Sequence, residues 1–145
     1  MEQKFNAATS QRPHGERMMD GAMVTINLSS FTKQIREEKA WKESDRNAIT
    51  VFKTDGMRIV LIALHKDAEM IKHTIDGLIS IQVIEGEILI TTEKQSAELG
   101  PGEMLALHQN VPHNVLAKKE SIFLLTLTTT LAGQHFQQYD QKDMD

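Results

Sequence analysis

The stretch Leu64–Ile88, LHKDAEMIKHTIDGLISIQVIEGEI, carries the pattern that decides the fold. Its apolar residues come in two short runs, Met70–Ile75 and Leu78–Ile84, and each run stops at a turn pair, Asp76-Gly77 and Glu85-Gly86. Runs this short, rich in isoleucine and closed by glycine, read as β-strands joined by turns. A helix would need an apolar stripe recurring about every 3.6 residues over a longer span.

The same rhythm continues on both sides. Upstream, Ala48–Lys53 leads through Asp55-Gly56, a favoured hairpin turn, into Met57–His65. Downstream, Glu87–Thr92 turns at Glu93-Lys94 into Ser96–Leu99, and Gly100-Pro101-Gly102 precedes Met104–Leu107. Asn110-Val111-Pro112 then precedes His113–Ala117, and Ser121–Thr130 closes the series. Strands at this spacing predict an all-β sandwich or barrel rather than βαβ units. Two of them, Arg58–Leu64 and Ile122–Leu127, are apolar on both faces, so each is expected to lie between two covering layers.

The ends read differently. Residues 1–21 are polar, hold Pro13 and Gly15, and show no period, which predicts a flexible N-terminal arm. Val24, Ile26 and Leu28 alternate with polar residues, so Met23–Leu28 is expected to be a half-buried strand. Ser29 or Ser30 offers an N-cap for one short helix, with Phe31, Ile35 and Trp41 as its apolar stripe. Residues 22–131 are therefore assigned to one barrel domain that includes this strand and helix. Residues 132–145 form a polar, glutamine-rich tail.

Composition narrows the function. The chain has 145 residues, enough for one domain with a real core. It has no cysteine, so disulfides and thiolate metal sites are excluded. The net charge is −4 with acids and bases interspersed, and aromatic residues are 5%, which leaves neither a basic face nor a stacking platform for nucleic acid. No apolar run approaches the ~20 residues that span a bilayer, and the first twenty residues lack the apolar core of a secretory signal. No nucleic-acid or membrane partner is expected, and a cytoplasmic location is the default expectation.

Two segments resemble the paired motifs of the cupin family. In Leu64–Ile88, anchoring on Gly86 places His73 on the first motif's first histidine, Ile75 on its second histidine, Ile79 on its glutamate and Asp67 on its opening glycine. In LGPGEMLALHQNVPHNVLA, Leu99–Ala117, Gly102 opens the second motif and His113 falls on its histidine. There His108 stands for the proline, Asn110 for the internal glycine and Ala117 for the final asparagine. Asparagine is a frequent non-glycine choice where φ must be positive, so Asn110 is a sensible substitute. The likeness covers about Ala48–Thr130 and is to small single-domain bacterial cupins of the cupin-2 type. It implies an all-β double-stranded β-helix, a jelly-roll barrel, with one short N-terminal helix.

The resemblance also implies a metal site inside the barrel, built from three histidines and a glutamate. Only His73 and His113 remain of that set. If His73 points inward, period-two geometry turns Ile71 and Ile75 inward as well, with Ile79, Ile81 and Val83 from the next strand. Val115 and Ala117 should share the interior with His113. A divalent ion among neutral ligands in an aliphatic cavity is poorly compensated. No cofactor is therefore expected, the alternative being a divalent transition metal on His73 and His113 with His65 or His108 as third ligand.

Three functions fit these residues. The leading one is a small-molecule-binding or sensing cupin with a degenerate metal site, His73 and His113 being polar handles in a pocket walled by Ile75, Ile79, Ile81 and Val83. A metal-dependent oxygenase or isomerase with a reduced histidine set is the alternative, and a filled, inert structural barrel is the third. The chain is also expected to be a homodimer, because strands apolar on both faces leave a second surface to cover.

Overall fold

The computed structural model describes residues 4–6, 17–73 and 76–129, with the backbone alone at 4–6, 17, 72 and 73. In chain order its elements are β1 (Lys4–Asn6), β2 (Arg17–Asp20), α1 (Leu28–Glu37), α2 (Lys39–Glu43), β3 (Arg46–Lys53), β4 (Met57–Leu64) and β5 (Glu69–His73). There follow β6 (Gly77–Glu85), β7 (Ile88–Thr92), β8 (Ser96–Leu99), β9 (Met104–Leu107), β10 (His113–Ala117) and β11 (Ser121–Thr129). From β3 onward these match the runs read from periodicity, to within a residue or two at each end.

Two antiparallel sheets face each other. One has the order β3-β4-β11-β6-β9 and the other β5-β10-β7-β8. Apart from the pairs β3–β4 and β7–β8, strands adjacent in sequence from β3 onward fall in opposite sheets, which is the jelly-roll arrangement. Between the sheets lies an aliphatic core that includes Ile62, Ile81, Val83, Ile90 and Val115 around Phe123, which is 1% exposed.

The doubly apolar strands are explained by a second core. On β4, Ile62 and Leu64 face the barrel while Leu61 and Ala63 face outward; on β11, Phe123 faces in and Ile122 out. The outward set is covered by Ile35 of α1 and Trp41 of α2, both buried, with Phe31 half-buried beside them. The second layer expected over these strands thus comes, at least in part, from the chain's own helices.

The helical segment departs from expectation in two ways. It starts two or three residues earlier, because Asn27 is the N-cap: its side chain accepts a hydrogen bond from the Ser30 N–H at 3.1 Å, and Leu28 already lies in the helix. Residues 21–27 accordingly make no strand, although Val24 and Ile26 are half-buried. Alternation alone does not make a strand without an edge to pair with, and the local cap wins. The segment is also two helices rather than one. The backbone turns extended at Glu38 (φ −77°, ψ 152°), and the buried Asn47 amide donates to the Ile35 carbonyl at 3.0 Å and to Glu38 Oε1 at 2.9 Å across the break.

Within residues 1–21, read from the sequence as a flexible arm, β1 and β2 pair antiparallel, with Lys4 opposite Asp20. Asp20 is only 4% exposed.

Candidate functional site

The site is built on β10, one of the two inner strands of the smaller sheet. Its residues alternate, with His113, Val115 and Ala117 buried at 5%, 3% and 0% exposure. The inward set expected for this strand is therefore present. The backbone register puts His73 of β5 directly opposite His113 on one side and Thr92 of β7 directly opposite it on the other. The side chain of His73, and all of Ile75, lie outside the described residues.

The His113 ring is oriented by the chain just before it. Nδ1 lies 3.0 Å from the Val111 carbonyl oxygen. A carbonyl can only accept, so Nδ1 carries the proton and donates it. Thr92 supplies no polar group to the interior: its hydroxyl donates to the Gln95 carbonyl at 3.1 Å and accepts from the Gln95 N–H at 3.2 Å, inside its own turn. Thr92 was missed at the level of motifs, yet it follows Ile88 and Ile90 at period two on a strand whose inward face those residues define.

The other residues singled out from the sequence are dispersed. Ile79, Ile81 and Val83 face inward as expected, at 3%, 1% and 1% exposure, but they are packed into the core and line none of the clefts described below. Ser80 and Gln82 take the opposite face. Ile71 does not turn inward; it is 68% exposed, while Met70 packs on the core. The cause is a bulge in β5. Between His73–His113 and Met70–Val115, three steps on β5 match two on β10, which reverses the alternation.

His65 is not brought to His113. Its ring stacks on Trp41 with centroids 3.5 Å apart and 11° between planes, and Nε2 donates to the Trp41 carbonyl at 2.9 Å. It thereby pins α2 to the end of β4. That end borders Ala68, which exchanges a backbone hydrogen bond with Ala117, about 13 Å along β10 from His113. His108 is exposed at the start of the turn that leads to β10.

Among the described residues, open space lies at the His113 end of the barrel and, as a cleft of about 310 Å³, beside Gly86, Glu98 and Pro101. A cleft of about 630 Å³ is lined by Ile71, Thr91, Thr92, Glu93, Pro112, His113 and Asn114. A smaller one of about 180 Å³ opens beside it between β7–β8 and β9, sharing Thr92 and bounded by Ile90, Leu105 and Leu107.

The backbone also marks the motif positions. Among the described residues, positive φ occurs at Asp67 (71°), Gly86 (90°), Gly102 (84°) and Asn110 (60°). These are the four positions where the paired motifs call for glycine. Two of the four have exchanged glycine for Asp or Asn, the side chains that best tolerate the left-handed region.

Solved structures share this arrangement. A cupin superfamily protein from Desulfitobacterium hafniense superposes with a TM-score of 0.57 at 18% identity, over 59% of this chain and 78% of that one. A conserved protein of unknown function from Streptococcus pyogenes gives 0.61 at 20% identity, over 79% and 93%. This chain has the cupin fold. Salicylate 1,2-dioxygenase from Pseudoaminobacter salicylatoxidans, in its gentisate adduct, contains the same barrel, with a TM-score of 0.62 at 15% identity over 70% of this chain and 32% of that one. No protein-family model and no curated protein sequence matches the chain.

The described residues of this cupin barrel do not complete a metal site. Ile79, at the family's glutamate position, is buried hydrocarbon. His113 is the one described imidazole facing the interior, and among the described residues no three His, Cys, Asp or Glu side chains gather as a ligand group. The donors fall short of the three protein ligands usual for catalytic zinc. Among the described residues, no helix is long and apolar enough to cross a membrane.

Proposed function

We propose that this cupin-fold chain binds a small molecule, as a binding or sensing protein, at the open end of its barrel. The observation that carries the reading is His113: a 5% exposed imidazole, fixed by the Val111 carbonyl, at the edge of a cleft above an otherwise aliphatic interior. A cleft of about 630 Å³ is the size of a small-ligand site, in which a few placed polar groups set orientation within apolar walls. A metal-dependent oxygenase or isomerase is the second reading. It is favoured by the register that sets His73 opposite His113, and it needs a third ligand, which His65, stacked on Trp41, does not supply.

Native mass spectrometry of the purified full chain, with elemental analysis of the same sample, separates the two. An organic ligand released on denaturation, and lost in His113→Ala, is the expected result. One tightly held transition metal per chain, lost with His113, would replace the binding reading with the metalloenzyme. The same reading includes a cytoplasmic location and a homodimer. The dimer would join through the outer face of the larger sheet, where Met57, Leu78 and Met104 remain exposed. Light scattering that reports a monomer at micromolar concentration would refute the dimer.

A further inference from the structure

We infer that the seam between β8 and β9 is a second binding site, which takes a small cyclic amide, a lactam, on the backbone of Ala106. The site goes beyond the His113 reading above and does not depend on what occupies that cleft.

Hydrogen bonds within each sheet fix which way the two strands turn their backbones. At the start of β9, the Val83 N–H donates to the Glu103 carbonyl at 3.0 Å, the Gly102 N–H donates to the Val83 carbonyl at 2.9 Å, and Gln82 stands opposite Met104. Bonded and non-bonded pairs alternate along an antiparallel ladder, so Leu105 and Leu107 bond to β6 while the N–H and C=O of Met104 and Ala106 point out of the sheet. On β8, the Thr92 N–H donates to the Gln95 carbonyl at 2.8 Å, and Ser96 stands opposite Thr91. By the same alternation, Ser96 and Glu98 turn their backbone groups away from β7. The strands lie in opposite sheets, and among the described residues no ladder joins them. Both edges therefore open on one seam. The β9 edge reads Met-Leu-Ala-Leu, without the charge or proline that commonly blunts an open strand.

This seam holds the cleft of about 180 Å³, lined from both edges by Ser96, Ala97 and Leu105–Leu107. Leu105 and Leu107 pack on the core, so the Ala106 side chain takes the outer face and what Ala106 offers the cleft is its main chain. Ile90, 2% exposed, completes an apolar wall with the two leucines. An edge residue sets its N–H and C=O side by side. A lactam ring holds its amide cis, which puts its own C=O and N–H on one edge, acceptor to donor and donor to acceptor, with the ring methylenes against the wall. An ordinary trans amide points the two groups in opposite directions. An extended peptide would need two successive amides, and more room than this cleft has.

The test titrates δ-valerolactam into the full chain, with N-methyl-δ-valerolactam as the probe that keeps the acceptor and lacks the donor. Amide resonances are followed by NMR. The lactam should shift the Ala106 and Leu107 amides and bind at least about fivefold more tightly than its N-methyl form. Ala106→Pro removes the outward N–H alone, a change that an edge strand tolerates, so the melting temperature should hold while the lactam response is lost. Ala97→Leu fills the cleft from the β8 side and should abolish the response without touching β9. Equal binding of the two probes, or a lactam response that survives Ala106→Pro, would overturn the ligand class. Absence of any response at Ala106 would overturn the site and leave the His113 reading standing.

Discussion

Asn47 holds the helical layer to the barrel through a buried amide, and its removal has a calculable cost. The residue is 6% exposed. Its Nδ2 donates to the Ile35 carbonyl in the last turn of α1 and to Glu38 Oε1, and its Oδ1 accepts from the Ala48 N–H at 2.9 Å. Asn47→Ala takes the donor from a carbonyl whose own residue is 0% exposed. Leaving such a group unpaired costs about 1–3 kcal/mol, and losing the bond to the carboxylate adds about 1 kcal/mol. The sum, about 2–4 kcal/mol, corresponds to a fall in melting temperature of roughly 5–15 °C for a chain of this size. Circular dichroism would read the melting, and Trp41, buried in α2, reports the helical layer by its fluorescence. Asn47→Asp is the companion variant: it keeps the acceptor for Ala48 but sets a carboxylate against the Ile35 carbonyl and Glu38, and should be at least as damaging. A fall of less than about 2 °C in both variants would refute the idea that this amide ties helix to sheet.

His65→Ala should raise or shift Trp41 emission and cost about 1–2 kcal/mol in urea unfolding, with the NMR signals of the His113 ring unchanged; a shift there would mean that His65 belongs to the site after all. Asn110→Gly should keep stability to within about 1 kcal/mol, whereas Asn110→Val should lose about 1–2 kcal/mol, because a β-branched residue resists the left-handed backbone; equal effects would contradict the positive φ. Dialysis against a chelator should leave the melting temperature within about 2 °C of its starting value, since a tightly bound metal would otherwise stabilise the fold by mass action.

The strands from β3 to β11 were legible because their signals are local. An Asp-Gly pair turns the chain wherever it stands, and a period of two sorts a strand's side chains without reference to any neighbour. Once the cupin resemblance sets His73 and His113 inward, that period gives the inward set Ile79, Ile81 and Val83, and Val115 and Ala117 with His113. The motif glycines were legible for the same kind of reason. Left-handed φ is a property of one residue, so Asn110 could be expected where a motif glycine was missing, and Asp67 takes the same conformation at the other such position.

What the sequence by itself determined, then, was an all-β sandwich or barrel whose strands sort their side chains into two faces, as far as β-sterics and periodicity reach; the jelly roll came with the cupin resemblance. The tertiary structure decided the rest, because the rest depends on partners distant along the chain. Pairing with β10 forces a bulge into β5, and that single extra residue exposes Ile71 where strict alternation would bury it. The crossing of α2 over β4 captures His65 on Trp41 and takes it from the metal candidates. Two packed sheets bury Phe123 in the core between them, and the cleft beside His113 opens at the end of the barrel. Each of these outcomes is set by how much volume and which hydrogen-bonding edges arrive from elsewhere, and no local pattern carries that information.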